Sequence, residues 1–273
     1  MDFLTSRAGA PALKVYLDGL VDQFERRDFI DDDPVSLVHG FGNARDQEVI
    51  GLFSALLAWG RRDTLLRKLH ELAERMRFNP YRFVLEFDET RDLAALAGFG
   101  HRTFRPEDAV SLVRALSAVL RCHGTLERAF LSGLPDSAPD VGPGIEAFSR
   151  LVASIVEDTP ARLRKHLARP SSGSACKRLC LYLRWMVRPG PVDLGIWKEL
   201  DPSLLVLPLD VHSGRQARRL GLLERPRDDW RAALELTERC RTLDVRDPVR
   251  YDFAFFGVGA YRVDLDPRFV RPA

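Results

Sequence analysis

Residues 171–221 read SSGSACKRLCLYLRWMVRPGPVDLGIWKELDPSLLVLPLDVHSGRQARRLG, and the rest of the chain is organised around them. The stretch opens on Ser171-Ser172-Gly173-Ser174, a turn followed by an N-cap, and predicts a basic helix over 175–188 with Lys177 in its first turn. Pro189-Gly190-Pro191 stops that helix. The stretch closes on Pro208-Leu209-Asp210-Val211-His212, where Asp210 caps a second basic helix over 211–220, ended by Gly221. A lysine amine can attack a carbon centre, and a carboxylate can stabilise the cation that results.

The charge pattern isolates the same region. From Thr159 to Val192 there is no Asp or Glu, while Arg162, Arg164, Lys165, Arg169, Lys177, Arg178, Arg184 and Arg188 are all present. Between Asp210 and Glu224 lie Arg215, Arg218 and Arg219, again with no acid. A phosphate-binding face requires such clustering, and a solvated face in an arginine-biased chain produces it too. Only five of the 41 basic residues are lysine. Arginine stays protonated, whereas a lysine can serve as an amine nucleophile once its proton is gone. That bias singles out Lys177, beside Arg178 and Arg184 at a helix start.

Outward from this stretch the chain reads as helices. Leu13, Leu17, Leu20, Val21 and Phe24 share one face of a helix over 11–28, broken at Asp31-Asp32-Asp33-Pro34. Asp46 is placed as the cap of DQEVIGLFSALLAWG, a helix apolar nearly all round and so expected at the centre. An amphipathic helix follows over 63–77, then an irregular aromatic segment over 81–104. Helices are predicted from Pro106 to Cys122, from Thr125 to Phe130, over 145–157 and 160–168, over 192–206 with Trp197, and over 228–241. Asp247-Pro248 is read as the cap and first residue of the last helix. No alternating strand pattern emerges, so the class is all-α.

With 273 residues, 45% of them hydrophobic, the chain has enough material for one large unit over 1–273. Two lobes around a cleft are expected: 46–200 as a central lobe, and 1–45 with 201–273 as the second. Cys122, Cys176, Cys180 and Cys240 form no CxxC pair, and an isolated Asp210-x-His212 pair is weak for a metal, so no metal is expected. His212 is read as a structural hydrogen-bonding residue, and Trp185 and Trp197 as core rather than stacking platforms. The N-terminus lacks a signal-type apolar run and no apolar stretch reaches membrane-spanning length, which points to a cytoplasmic monomer without a membrane.

The segment LPLDVHSGRQARRLGL resembles a motif of the helix-hairpin-helix DNA glycosylase superfamily, through Pro208, Asp210, His212, Arg215, Arg218, Arg219, Leu220 and Gly221. The resemblance implies that fold and makes Asp210 the catalytic carboxylate. Lys177 stands where bifunctional members carry their lysine, and the extended spacing to Asp210 resembles the archaeal 8-oxoguanine glycosylase branch. The familiar hairpin LPGVGxK is replaced by PSSGSACK, in which Gly173 alone remains of the glycines. Only Cys240 lies beyond Asp210, so no iron–sulfur cluster and no other cofactor is expected. DQEVIGLFSALLAWGRR, KRLCLYLRWMVR and DPVRYDFAFFGVG resemble a bacterial family defined only as a domain of unknown function. Together the resemblances imply base excision from damaged duplex or single-stranded DNA, with abasic-site lyase activity and an oxidised purine such as 8-oxoguanine as substrate. Ser172, Gly173, Ser174, Arg178, Arg215, Arg218 and Arg219 would hold the nucleic acid. The alternative is a non-catalytic nucleic-acid-binding protein on the same fold.

Overall fold

The computed structural model describes residues 9–31, 33–156 and 160–271. Residues 1–8 at the N-terminus, Asp32 of the acidic break and Glu157 at the end of the predicted 145–157 helix lie outside them. The described residues are all-helical, with short 3-10 turns and only isolated β-bridges. In order the helices are α1 (Gly9–Phe24), α2 (Val35–His39), α3 (Ala44–Leu57), α4 (Arg62–Arg75) and α5 (Pro80–Leu85). Then come α6 (Glu89–Leu96), α7 (Pro106–His123), α8 (Leu126–Leu131), α9 (Gly142–Ile155) and α10 (Ala161–His166). The last four are α11 (Lys177–Val187), α12 (Val211–Arg219), α13 (Trp230–Arg241) and α14 (Asp252–Tyr261).

α3 is central as its composition predicts: every residue from Glu48 to Leu57 is buried. Its cap is Asn43 rather than Asp46. The Asn43 side chain accepts from the Asp46 amide at 2.9 Å, and Asp46 accepts from the Tyr81 amide of α5 at 2.9 Å. α11 lies against α3 with the Tyr182 hydroxyl donating to the Glu48 carbonyl at 3.0 Å. α12 packs on α14, and α14 on α1.

Three segments differ from the sequence reading, each because capping or tertiary bonding overrides composition. The aromatic stretch 81–104 holds α5 and α6: Pro80 opens the first, and the Asp88 side chain caps the second at the Arg91 amide. The predicted 192–206 helix is replaced by extended chain and a 3-10 turn at Pro202–Leu204. Its amides are used elsewhere: those of Leu194 and Trp197 donate at 2.8 Å to the carbonyls of Trp185 and Met186, which the end of α11 leaves open. Gly195 makes this return possible, with φ +57 and a Cβ position only 2.8 Å from Pro189 Cα. The final α-helix begins at Asp252, after a 3-10 turn over Pro248–Tyr251. Asp247 caps nothing there, because its carboxylate accepts from Arg188 Nε at 2.7 Å.

The α1–α14 contact is close enough to test. A Cβ at Gly257 would come 2.2 Å from the Phe24 ring. Alanine normally favours a helix over glycine by about 1 kcal/mol. Here Gly257→Ala is expected to destabilise by about 1–3 kcal/mol through overpacking, read as a lowered melting temperature. A raised melting temperature would show that α1 yields freely.

Candidate functional site

The N-termini of α11, α12 and α14 meet at one cleft of about 500 Å³, lined by Lys177, Asp210 and Asp252 from these three helix starts. Each helix directs the positive end of its dipole there, which favours negative groups. Lys177 is the first residue of α11, and Cys176 before it takes a left-handed conformation at φ +50. Ser174 therefore shapes the approach rather than capping the helix: its hydroxyl accepts from the Cys176 amide at 3.1 Å.

Lys177 and Asp210, 33 residues apart in sequence, meet with Nζ 2.6 Å from Oδ2. The other oxygen of Asp210, Oδ1, accepts from the His212 and Ser213 amides at 2.8 and 2.9 Å. One carboxylate thus caps α12 and pairs with the lysine at once. Burial pushes the Asp210 carboxyl up, but Lys177 and the two amides outweigh it and hold it below the ordinary aspartate value. His212 is exposed at the cleft rim, and a Cβ at Gly259 of α14 would come 3.2 Å from its Cβ.

Asp252 completes the carboxylates of α11's surroundings. Its Oδ2 accepts from the Arg184 guanidinium, and Arg184 Nε also donates to Asp193 at 3.2 Å. Burial pushes the Asp252 carboxyl up to about 6, against the pull of Arg184 and Lys177 and reinforced by Asp210 and Asp193. Asp33 lines the same cleft, raised by burial, and its Oδ1 accepts from the Val35 amide at 3.0 Å. Trp59, Phe29, Phe253 and Phe256 supply apolar wall.

A second recess of about 270 Å³ adjoins the cleft through Trp59 and Lys177, and holds Lys165, His166, Ser174 and Arg178. Arg178 Cζ sits 4.0 Å from the centre of the Trp59 ring, and its Nη1 donates to His166 Nδ1 at 2.9 Å. His166 stacks on Trp59 at 4.7 Å. Being bonded to each other, the guanidinium and imidazole lie side by side on one indole face. Burial lowers both: Arg178 to about 10, and His166, with Arg178's charge added, to about 4. No carboxylate pairs with Arg178 among the described residues. Beyond Lys165 and Ser174 lies a wider groove of about 690 Å³ with Arg150, Arg164, Arg169 and Ser172.

The expected basic face is thinner than the sequence suggests. Arg184 and Arg188 are almost fully buried and bound to Asp193, Asp252, Glu25 and Asp247, so they are unavailable to phosphate. Arg162 pairs with Asp108 at 2.9 Å. Glu146 of α9 reaches the 171–174 turn, accepting from Ser171 N at 3.0 Å. Ser172 Oγ donates to the Arg169 carbonyl at 2.6 Å, and Gly173 holds φ +76 on the surface. Arg215 and Arg219 are exposed on α12. Arg218 is engaged, donating to Asp228 at 2.6 Å and to the Arg225 carbonyl at 2.7 Å. Trp185 is fully buried core, as is Trp197, whose indole donates to Glu48 at 2.9 Å. No group of three or more His, Cys, Asp or Glu suited to a metal occurs among the described residues, and no helix there is long and apolar enough to cross a membrane.

Asp252, Asp33 and Trp59 were missed by sequence reasoning. Asp252 had a signal, an acid five residues after Asp247 in the same apolar run, but the cap was assigned to Asp247. Trp59 ends the central helix pattern and carried none.

Fold and site together define an all-helical protein with a lysine–carboxylate cleft at three converging helix starts. Residues 33–261 match the family described as "Protein of unknown function (DUF2400)", and the chain belongs to that family. No curated protein matches the chain, and neither does any solved structure.

The pairing yields a test independent of function. Followed by carboxyl 13C NMR, Asp210 is expected to titrate below 3.8 in the native protein. In Lys177→Gln the lysine's pull is gone while burial persists, so the titration should move upward. No movement would mean that the pair does not form in solution.

Proposed function

We propose that this chain is a base-excision enzyme acting on nucleic acid, a DNA glycosylase with abasic-site lyase activity, on a two-lobed helix-hairpin-helix glycosylase-like fold. The observation that carries the reading is the 2.6 Å approach of Lys177 Nζ to Asp210 Oδ2 inside a cleft of about 500 Å³. That volume lies in the range of small-ligand sites, and its aromatic wall suits an extruded base such as 8-oxoguanine.

In this reading a base leaves the helical stack and enters between Trp59 and the α14 aromatics. Lys177 loses its proton to solvent, and the free amine attacks the sugar C1′. Asp210 stays ionised beside the developing sugar cation, on a helix start that fixes its position. The lysine adduct opens to an imine, and β-elimination nicks the strand. The backbone would run along the recess and the groove, where Arg178, Lys165 and Arg164 meet phosphates, with Ser172, Gly173 and Ser174 at the turn. Arg215 and Arg219 on exposed α12 would meet the strand from the other side, and Arg218 would need to leave Asp228 to join them.

The test is borohydride trapping on a duplex with a pre-formed abasic site. The native protein should give a covalent adduct, and Lys177→Gln and Lys177→Arg should give none, since neither side chain can form the imine. Absence of any adduct with the native protein, together with salt-dependent DNA binding, would leave a non-catalytic binding protein. Arg178→Ala should weaken binding of unrelated sequences alike and lower the salt slope by about 1; an unchanged slope would make Arg178 scaffold.

A further inference from the structure

We propose that Asp252 is the acid of this site: its carboxyl group protonates the base as the glycosidic bond breaks. The inference rests on the glycosylase reading and adds to it a residue and a step.

The geometry sets Asp252 apart from the other carboxylates of the interior. Its side chain is 7% exposed, yet it lines the cleft that holds Lys177 and Asp210. Oδ2 accepts from Arg184, which leaves Oδ1 to the cleft that Asp252 lines. Asp193, by contrast, has both oxygens engaged, by Arg184 and Arg188. Asp210 also has both engaged, by the α12 amides and Lys177.

The groups facing Asp252 determine its proton. From α11 come Lys177, Arg184 and the buried thiol of Cys180; from the chain after α11 comes Asp193; from the head of α12 comes Asp210; and from α13 comes the thiol of Cys240. Arg184 is shared between Asp193 and Asp252, so it compensates neither fully. Two carboxylates of one cleft are therefore driven apart: Asp210 is held low, and burial carries Asp252 up to about 6. Such a split divides work between a group that stays ionised and one that can donate.

The lone pair of the Lys177 amine forms the N–C1′ bond. The C1′–base bond breaks and its electron pair goes to the base. The base nitrogen takes the proton of Asp252, so the base leaves neutral and the lysine nitrogen carries the positive charge. The carboxylate left on Asp252 is received by Arg184 and by the first turn of α14.

The experiment compares two probes: duplexes each carrying one damaged base, beginning with 8-oxoguanine, and a duplex with a pre-formed abasic site. Native base release should fall as pH rises above about 6, because the acid must hold its proton. Asp252→Asn should lower base release by about 100-fold or more and remove that pH limb. Its borohydride adduct on the abasic duplex should fall far less, since no base remains to protonate. Asp252→Glu keeps an acid and should retain the limb at a displaced pH, which tests the assignment even if the Asn variant folds poorly. Native-like base release in the Asn variant overturns the assignment, as does equal loss on both probes at an unchanged melting temperature, or a Glu variant active without the limb. Native protein that traps on the abasic duplex but releases no base also overturns it, with the lyase reading intact. No adduct with the native protein overturns both.

Discussion

The buried ion cluster of α11 holds the molecule's parts in register. Arg184 and Arg188 are among the least exposed charged residues, and between them they bind Asp193, Asp252, Asp247 and Glu25. Charges removed from water are costly unless paired, and deleting one partner of such a pair typically costs about 3–5 kcal/mol. The cluster therefore admits one arrangement of the end of α1, the return after α11 and the head of α14. The Arg184 guanidinium also lies 4.3 Å from the Phe253 ring centre, so packing and charge agree on its position. Lys177 stands two helical turns before Arg184 on the same face of α11. Fixing the arginine fixes where the lysine points.

Convergence of helix starts then gives the cleft its electrostatic character. Dipoles of α12 and α14 favour anionic side chains at their heads, and Asp210 and Asp252 occupy those positions. Their surroundings differ: Asp210 meets a lysine and two amides, whereas Asp252 is more deeply buried and shares a single arginine with another acid. Opposite protonation tendencies follow from burial, which those partners outweigh at Asp210 and not at Asp252.

Much of this was legible in the sequence. The all-α class and the central place of α3 follow from period and composition, and a short motif singles out Lys177 and Asp210, which the fold brings together. What sequence could not give was pairing across distance. The acid-free span 159–192 looks uniformly basic, yet the fold brings Asp108, Glu146, Glu25 and Asp252 to it from four other segments. Asp247-Pro248 has the composition of a helix start, but Arg188 takes the carboxylate and the helix begins at Asp252. The 192–206 segment has helical composition, but its amides close the end of α11. In each case a long-range bond competes with a local preference, and local preferences are worth too little to win.

The position of Trp59 gives the protein an optical readout of its own. Four tryptophans are present; Trp185 and Trp197 are sealed in the core, and Trp230 lies against Gly142 of α9 and does not line the cleft. Trp59 alone stands at the junction of cleft and recess, with a guanidinium and an imidazole against one face. Any molecule entering either cavity changes the charge and solvent around that indole, so its emission reports occupancy without a label.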